Sequence, residues 1–186
     1  MISKRDRVFP DTATLYPISI ADLVLRLAEA GVIELVWSDH LLDETNRVLV
    51  ERKGLQPSAA AYFCDCIRTA FPDGHIPRDR YQHLLATRLG PDHDDHEHAA
   101  AASAAADVLL SADKRGFPLT DTSPAVRRHP DDYLNELLAS YPTQVISVLH
   151  DMATSKRTPT TRHEILDALA RAGLTTFAEN ARTLTA

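Results

Sequence analysis

The chain has 186 residues, of which 44% are hydrophobic and 25% are charged, a composition that excludes general disorder. Its formal net charge of −6 argues against a protein that holds nucleic acid by bulk positive charge. Local basic patches, or a divalent ion that offsets clustered carboxylates, stay compatible with that charge. No apolar run approaches the roughly 18 residues of a membrane span, and the N-terminus lacks an apolar signal segment. We therefore expect a cytoplasmic protein without membrane contact.

Predicted strands alternate with predicted helices over the first two thirds of the chain. Short β-branched or aromatic runs predict strands at 7–9, 33–37 and 108–111. Apolar residues at helical spacing, with Gly and Ser at the ends, predict helices at 20–30, 39–52, 58–70 and 81–89, and an alanine-rich helix opened by Asp95. This order favours an α/β sandwich around a mostly parallel sheet.

The character of the sequence changes after about residue 118. Four segments carry helical patterns with caps or Gly and Pro stops, at 130–140, 143–152, 161–172 and 176–183. No strand signal is visible among them. We predict a first domain over residues 1–120 and a C-terminal, all-helical extension over residues 121–186.

Acidic residues stand where the predicted strands end. Asp11 follows the first strand, Asp113 follows the strand at 108–111, and Asp95 opens the alanine-rich helix. Glu44 borders the apolar stripe of the helix at 39–52, so its carboxylate can face a cleft. Ligands of open parallel sheets bind at the carboxyl ends of the strands, where residues distant in sequence meet.

Gathering four carboxylates is unfavourable because like charges repel and burial makes ionisation harder. A hard divalent cation removes both costs, and Mg²⁺ prefers oxygen ligands and keeps several waters. Such a site can activate water and stabilise charge on a phosphodiester. Each acid taken singly also has an ordinary structural role in a turn, a helix end or a loop.

Four segments of the chain, taken together, resemble a known family. They are PDTATLYP around Asp11, WSDHLLDETNRVL around Glu44, PDHDDHEHAAAA around Asp95 and ADVLLSADKRGFP around Asp113. In their order and spacing these segments are similar to the PIN-domain nucleases, especially the VapC-like toxins of bacterial toxin–antitoxin pairs. The tail segments RRHPDDYLNELL and ILDALARAGL also resemble the helical extension of one subset of PIN proteins.

This resemblance implies a three-layer α/β/α fold, endoribonuclease activity that depends on Mg²⁺ or Mn²⁺, a homodimer, and a cognate antitoxin that blocks the site. It assigns the metal-binding and catalytic acids to positions in this chain, which are Asp11, Glu44, Asp95 and Asp113. Asp94 is a further metal-ligand candidate because the register could slip by one residue. Ser111 matches a small hydroxyl residue that helps to hold such sites, and it is also a candidate contact to the RNA.

Two basic residues directly follow the last acid. We predict that Lys114 and Arg115 contact phosphate beside the site, although paired basic residues are commonly plain surface.

Two alternatives stay open at this stage. The histidines near Asp95, which are His93, His96 and His98, invite comparison with the HD-type metal phosphohydrolases, an all-helical family. His96 and His98 point about 200° apart on a helix and cannot chelate one ion together, so we expect no dedicated zinc site there. The second alternative is a non-catalytic PIN-like module that binds RNA or protein.

Overall fold

A four-stranded parallel sheet forms the centre of the protein. The computed structural model describes residues 5–85, 93–113, 123–155, 158 and 160–184. The strands are β1 (Arg7–Pro10), β2 (Glu34–Leu35), β3 (Val108–Leu110) and β4 (Val126–Arg128). They lie in the order β2-β1-β3-β4, and every neighbouring pair is parallel. The predicted α/β sandwich is thereby confirmed, and the sheet disagrees with the all-helical alternative.

Helices connect the strands of this sheet. They are α1 (Thr12–Leu15), α2 (Ile18–Glu29), α3 (Asp39–Glu51), α4 (Pro57–Ala70), α5 (Gln82–Leu85) and α6 (His93–Ala105). The Ser38 hydroxyl caps α3 as predicted and accepts a hydrogen bond from the Leu41 amide at 3.2 Å. Gly31 ends α2 with a φ of +68°, which only glycine adopts without strain. The end of the helix predicted at 81–89 lies outside the described residues.

Four further helices follow the sheet and confirm the predicted helical C-terminal region. They are α7 (Pro130–Ser140), α8 (Pro142–Thr154), α9 (Arg162–Arg171) and α10 (Thr175–Thr183). α8 and α9 pack against α2, and the apolar side chains of these helices belong to the same buried core as the sheet. Among the described residues, no helix combines the length and the apolar character that crossing a membrane requires.

The expectation of no strand after residue 118 was wrong. Val126–Arg128 pairs with β3 and forms one edge of the sheet. The segment reads Val-Arg-Arg and carries little β-propensity, so its extended conformation comes from pairing with β3 and not from its own residues. The boundary near residue 120 stays a prediction, but the sheet draws on residues beyond it.

The strand order places a crevice between β1 and β3. The chain passes from β1 to β2 on one side of β1, while β3 lies on its other side. The order in which the strands are added thus changes sides at β1, and open α/β sheets bind ligands in the crevice at such a position. The Asp11 amide donates a hydrogen bond to the Leu110 carbonyl at 3.0 Å, so the ends of β1 and β3 are held side by side.

A single carboxylate ties the first and last helices of the tail together. Asp131 lies in the first turn of α7, and its side chain accepts hydrogen bonds from the amides of Thr176 at 3.0 Å and Phe177 at 2.8 Å. These amides open α10, which has no capping side chain of its own. Asp131 therefore caps a helix that begins more than forty residues later.

We expect Asp131→Ala to lower the free energy of unfolding by about 1–2 kcal/mol, because two amide groups at the start of α10 lose their acceptor. Asp132→Ala is the matched control, since Asp132 is exposed in the same first turn of α7 and shares the same helix dipole. Urea unfolding followed by circular dichroism measures both variants. Equal losses in the two variants would contradict the capping role.

Candidate active site

Asp11 is held rigidly at the end of β1. Its side chain is 2% exposed and caps α1, with Oδ1 accepting a hydrogen bond from the Thr14 amide at 2.7 Å. Its other oxygen, Oδ2, accepts a hydrogen bond from the Ser111 hydroxyl at 2.6 Å. Both oxygens are thereby fixed in position, and each keeps a second lone pair for a further ligand.

Ser111 connects two of the predicted acids. Besides donating to Asp11, its hydroxyl oxygen accepts a hydrogen bond from the Asp113 amide at 3.0 Å. Ser111 is fully buried. The structure places Ser111 between Asp11 and Asp113, and its contact to RNA stays a prediction.

Glu44 is oriented from two directions. The Thr12 hydroxyl donates a hydrogen bond to Glu44 Oε2 at 2.5 Å, and His98 Nε2 lies 3.1 Å from the same oxygen. Its helix, α3, turns Leu41, Thr45 and Val48 inward, and Glu44 borders that buried stripe as the sequence predicted. Thr12 comes from α1, directly after Asp11, so one short segment positions both carboxylates.

The two neighbouring aspartates of α6 face different surroundings. Asp95 lines a cleft together with Asp11 and Glu44. Asp94 instead lies 3.1 Å from His40 Nε2 and 3.5 Å from the Arg47 guanidinium, both on α3. A step of one residue turns a side chain by about 100° around a helix, which separates the two. This geometry favours Asp95 over Asp94 as the acid of the cleft.

One open cleft of about 440 Å³ collects the four acids named from the sequence. Its walls are formed by Asp11, Thr12, Ala13, Tyr16, Glu44, Val48, Arg52, Asp95, His98 and Asp113. The acids come from the end of β1, from α3, from α6 and from the segment after β3. Side chains that lie far apart in sequence thus share one open cleft at the carboxyl edge of the sheet.

The pKa values of Asp11 and Glu44 are shifted in opposite directions. Burial raises the pKa of Asp11 above its ordinary value of 3.8, although the hydrogen bonds from Ser111 and Thr14 oppose that shift. Burial also acts to raise the pKa of Glu44, but hydrogen bonds from His98 and Thr12 outweigh it and leave that pKa lowered. A charged Asp11 is therefore costly for the fold unless a cation lies nearby.

The cleft also contains residues that sequence reasoning missed. Thr12 and His98 hold Glu44, and Arg52 places a cation on the cleft wall. Ligand atoms of His40, Glu44 and His98 lie within 4.8 Å of one another, close enough for a metal ion. The spacing of His40 and Glu44 on one helix face is a signal for this cluster, but the approach of His98 depends on how α6 packs against α3.

Lys114 and Arg115, the predicted phosphate contacts, lie outside the described residues, as does the side chain of His93.

Comparison with known proteins yields one family for the tail. Residues 130–183 match the family model described as VapC50 C-terminal domain. The matched segment covers less than a third of the chain and coincides with α7–α10. No curated protein matches the chain. The tail is thus similar to a VapC-type C-terminal domain, and the parallel sheet before it is compatible with a PIN-like domain.

We expect Asp11→Asn to raise the free energy of unfolding at neutral pH in the presence of a chelator. The raised pKa means that the folded state binds the proton of Asp11 more tightly than the unfolded chain does, so ionisation opposes folding as pH rises through the folded-state pKa. Asn keeps the cap on α1 and removes the charge. The stability gain should shrink as pH falls towards 3.8.

Urea unfolding at several pH values measures this effect, and Asp151→Asn, on the exposed face of α8, is the control. Added Mg²⁺ should stabilise the parent chain more than the Asp11→Asn variant. A variant less stable than the parent at neutral pH would show that the lost hydrogen bonds outweigh the cost of the buried charge.

Proposed function

We propose that the chain is a metal-dependent endoribonuclease of the VapC type that hydrolyses RNA phosphodiester bonds. The observation that carries this proposal is the cleft in which acids from four separate segments of the chain meet. The similarity of residues 130–183 to a VapC-type domain supports the same hypothesis from another part of the chain.

Asp11, Glu44, Asp95 and Asp113 would hold the ion, which we take to be Mg²⁺ or Mn²⁺. Oxygen-only donor sets of this kind suit hard divalent cations. The burial of Asp11 supports the assignment, because a carboxylate with a raised pKa at the base of a cleft gains most from a neighbouring cation. A bound ion of this class polarises a phosphate and lowers the pKa of an attacking water.

The chain's own residues would fix the geometry of the reaction. Ser111 and Thr14 hold Asp11, while Thr12 and His98 hold Glu44, so neither carboxylate has to reorganise during the reaction. The water oxygen bonds to phosphorus, the bond from phosphorus to the 3′ oxygen breaks, and that oxygen takes up a proton. The products carry 3′-hydroxyl and 5′-phosphate ends.

Basic and aromatic groups at the edge of the cleft offer contacts for an RNA strand. Arg52 and Tyr16 line the cleft, and both are accessible to solvent. The Lys53 ammonium lies 4.7 Å from the centre of the Tyr16 ring and donates to the Tyr16 carbonyl at 3.3 Å. We assign phosphate binding to Arg52 and base stacking to Tyr16, despite the acidic net charge of the chain.

We expect Asp11→Asn and Asp113→Asn to lower the rate of RNA cleavage by at least about 100-fold, because each removes a charge that would hold the ion. The assay uses total cellular RNA with Mg²⁺ and repeats it with chelator, and Asp151→Asn serves as the control on an exposed surface. If both cleft variants cut RNA as fast as the parent, the nuclease proposal fails and a non-catalytic module is favoured.

We expect Arg52→Ala to weaken RNA binding and to reduce the slope of log K against log salt by about 1, the effect of one lost phosphate contact. Fluorescence anisotropy with a phosphorothioate-substituted RNA in Mg²⁺ measures the slope. Arg171→Ala, which removes an exposed cation from the tail helix α9, should leave it unchanged. An unchanged slope in Arg52→Ala would refute the contact.

We further propose that this nuclease is the toxin of a toxin–antitoxin pair, with a cognate antitoxin protein that blocks the cleft, and that it forms a homodimer. The tail's similarity to a VapC-type domain supports the toxin reading. A small gene directly upstream whose product suppresses RNA cleavage on co-expression would support it. Cleavage that no neighbouring gene product restrains would favour a housekeeping nuclease.

A further inference from the structure

Two histidines and one glutamate form a compact cluster on the wall of the cleft. His40, Glu44 and His98 each offer a ligand atom, and these atoms lie within 4.8 Å of one another. His40 and Glu44 are four residues apart and therefore lie on the same face of α3. His98 reaches them from α6, which packs against α3. The cluster is a different donor set from the four acids, although it shares Glu44 with them.

We propose that His40, Glu44 and His98 form a binding site for a divalent transition-metal ion of the zinc class, separate from the oxygen-only site of the four acids. Imidazole nitrogen suits Zn²⁺, Co²⁺ and Ni²⁺, whereas Mg²⁺ prefers oxygen donors. Two histidines and one carboxylate are a common three-ligand set for zinc, with the remaining position open to water.

The ligands are already oriented for such an ion. His98 is 2% exposed, and its ring lies 5.9 Å from the Phe9 ring and 5.5 Å from the His40 ring, measured between centroids. Thr12 fixes the Glu44 carboxylate. Donor atoms around tetrahedral zinc lie about 3.3 Å apart at ordinary bond lengths. His98 Nε2 and Glu44 Oε2 meet that spacing at 3.1 Å.

His40 completes the set with a small movement. Its side chain is 23% exposed, so it has room to rotate its ring towards the other two ligands. Its Nε2 lies 3.1 Å from Asp94, and its Nδ1 lies 3.7 Å from the buried carboxylate of Glu97. Both carboxylates lie beside the ring, and a carboxylate is the usual outer partner of a metal-bound histidine.

Sharing Glu44 has a consequence for the proposed nuclease, and that consequence alone depends on the proposed function. An ion bound by the two histidines competes with the acidic site for the Glu44 carboxylate. The zinc class of ions should therefore inhibit Mg²⁺-dependent RNA cleavage. Both Glu44 and His98 line the cleft, so the open position of the bound ion faces the same space as the acids.

Cobalt titration of the full, tag-free chain tests the site directly. After treatment with chelator, added Co²⁺ should give a saturable visible absorption band, with about one ion bound per chain. His40→Ala should weaken Co²⁺ binding by at least about 10-fold, the lower range for loss of a ligand or its support. His40 is only partly buried, so this variant is expected to fold even where His98→Ala does not.

His163→Ala is the matched control, because His163 and Asp167 form another pair of histidine and carboxylate four residues apart on a helix, with Nε2 and Oδ2 3.7 Å from each other. Asp113→Asn, which alters the acidic site alone, should keep the band. If His40→Ala binds Co²⁺ like the parent, or if Asp113→Asn abolishes the band, the proposal is overturned and the histidines form ion pairs only.

The inhibition is measured separately, by adding Zn²⁺ to RNA cleavage in Mg²⁺. The parent should lose activity at a lower Zn²⁺ concentration than His40→Ala does. Equal sensitivity of the two chains would overturn the competition for Glu44. A chain that binds Co²⁺ through His40 but cuts no RNA would contradict the proposed nuclease and leave the metal site standing.

Discussion

The geometry of the cleft depends on one carboxylate that is buried at the junction of two strands. Asp11 sits where β1 ends against β3, held through both oxygens by Thr14 and Ser111. Burial disfavours the charged form of Asp11 and raises its pKa, and the hydrogen bonds from Ser111 and Thr14 oppose that shift. The same bonds that keep the carboxylate in position also aim it at the cleft. The buried carboxylate of Asp11 therefore lowers the stability of the fold at the place where a cation would be bound.

Several features of the site follow from the sequence because they depend on local rules. Asp11 comes directly after β1 and Asp113 stands three residues beyond the end of β3, and the carboxyl ends of parallel strands meet at one edge of the sheet. Glu44 follows from helical spacing beside Leu41 and Val48. The caps at Ser38 and Gly31 follow from residue type alone. These positions need no knowledge of how distant helices pack.

Other features could not be predicted, since tertiary packing decides them. Whether Asp94 or Asp95 faces the cleft depends on how α6 is rotated about its axis. The contacts of Asp94 with His40 and Arg47 of α3 fix that rotation. The meeting of His40 with His98 has the same origin. The strand β4 was not predicted because the segment Val-Arg-Arg is extended only through its hydrogen bonds with β3.

The lateness of β4 in the chain affects how the site is completed. The Ser111 amide donates to the Arg128 carbonyl at 3.0 Å, so the residue that joins Asp11 to Asp113 is itself anchored by the last strand. The four acids precede this anchor in the chain, so β3 gains its last neighbour only when residues 126–128 have been made. Fixing Ser111, and through it Asp11 and Asp113, therefore depends on a segment that is made after all four acids.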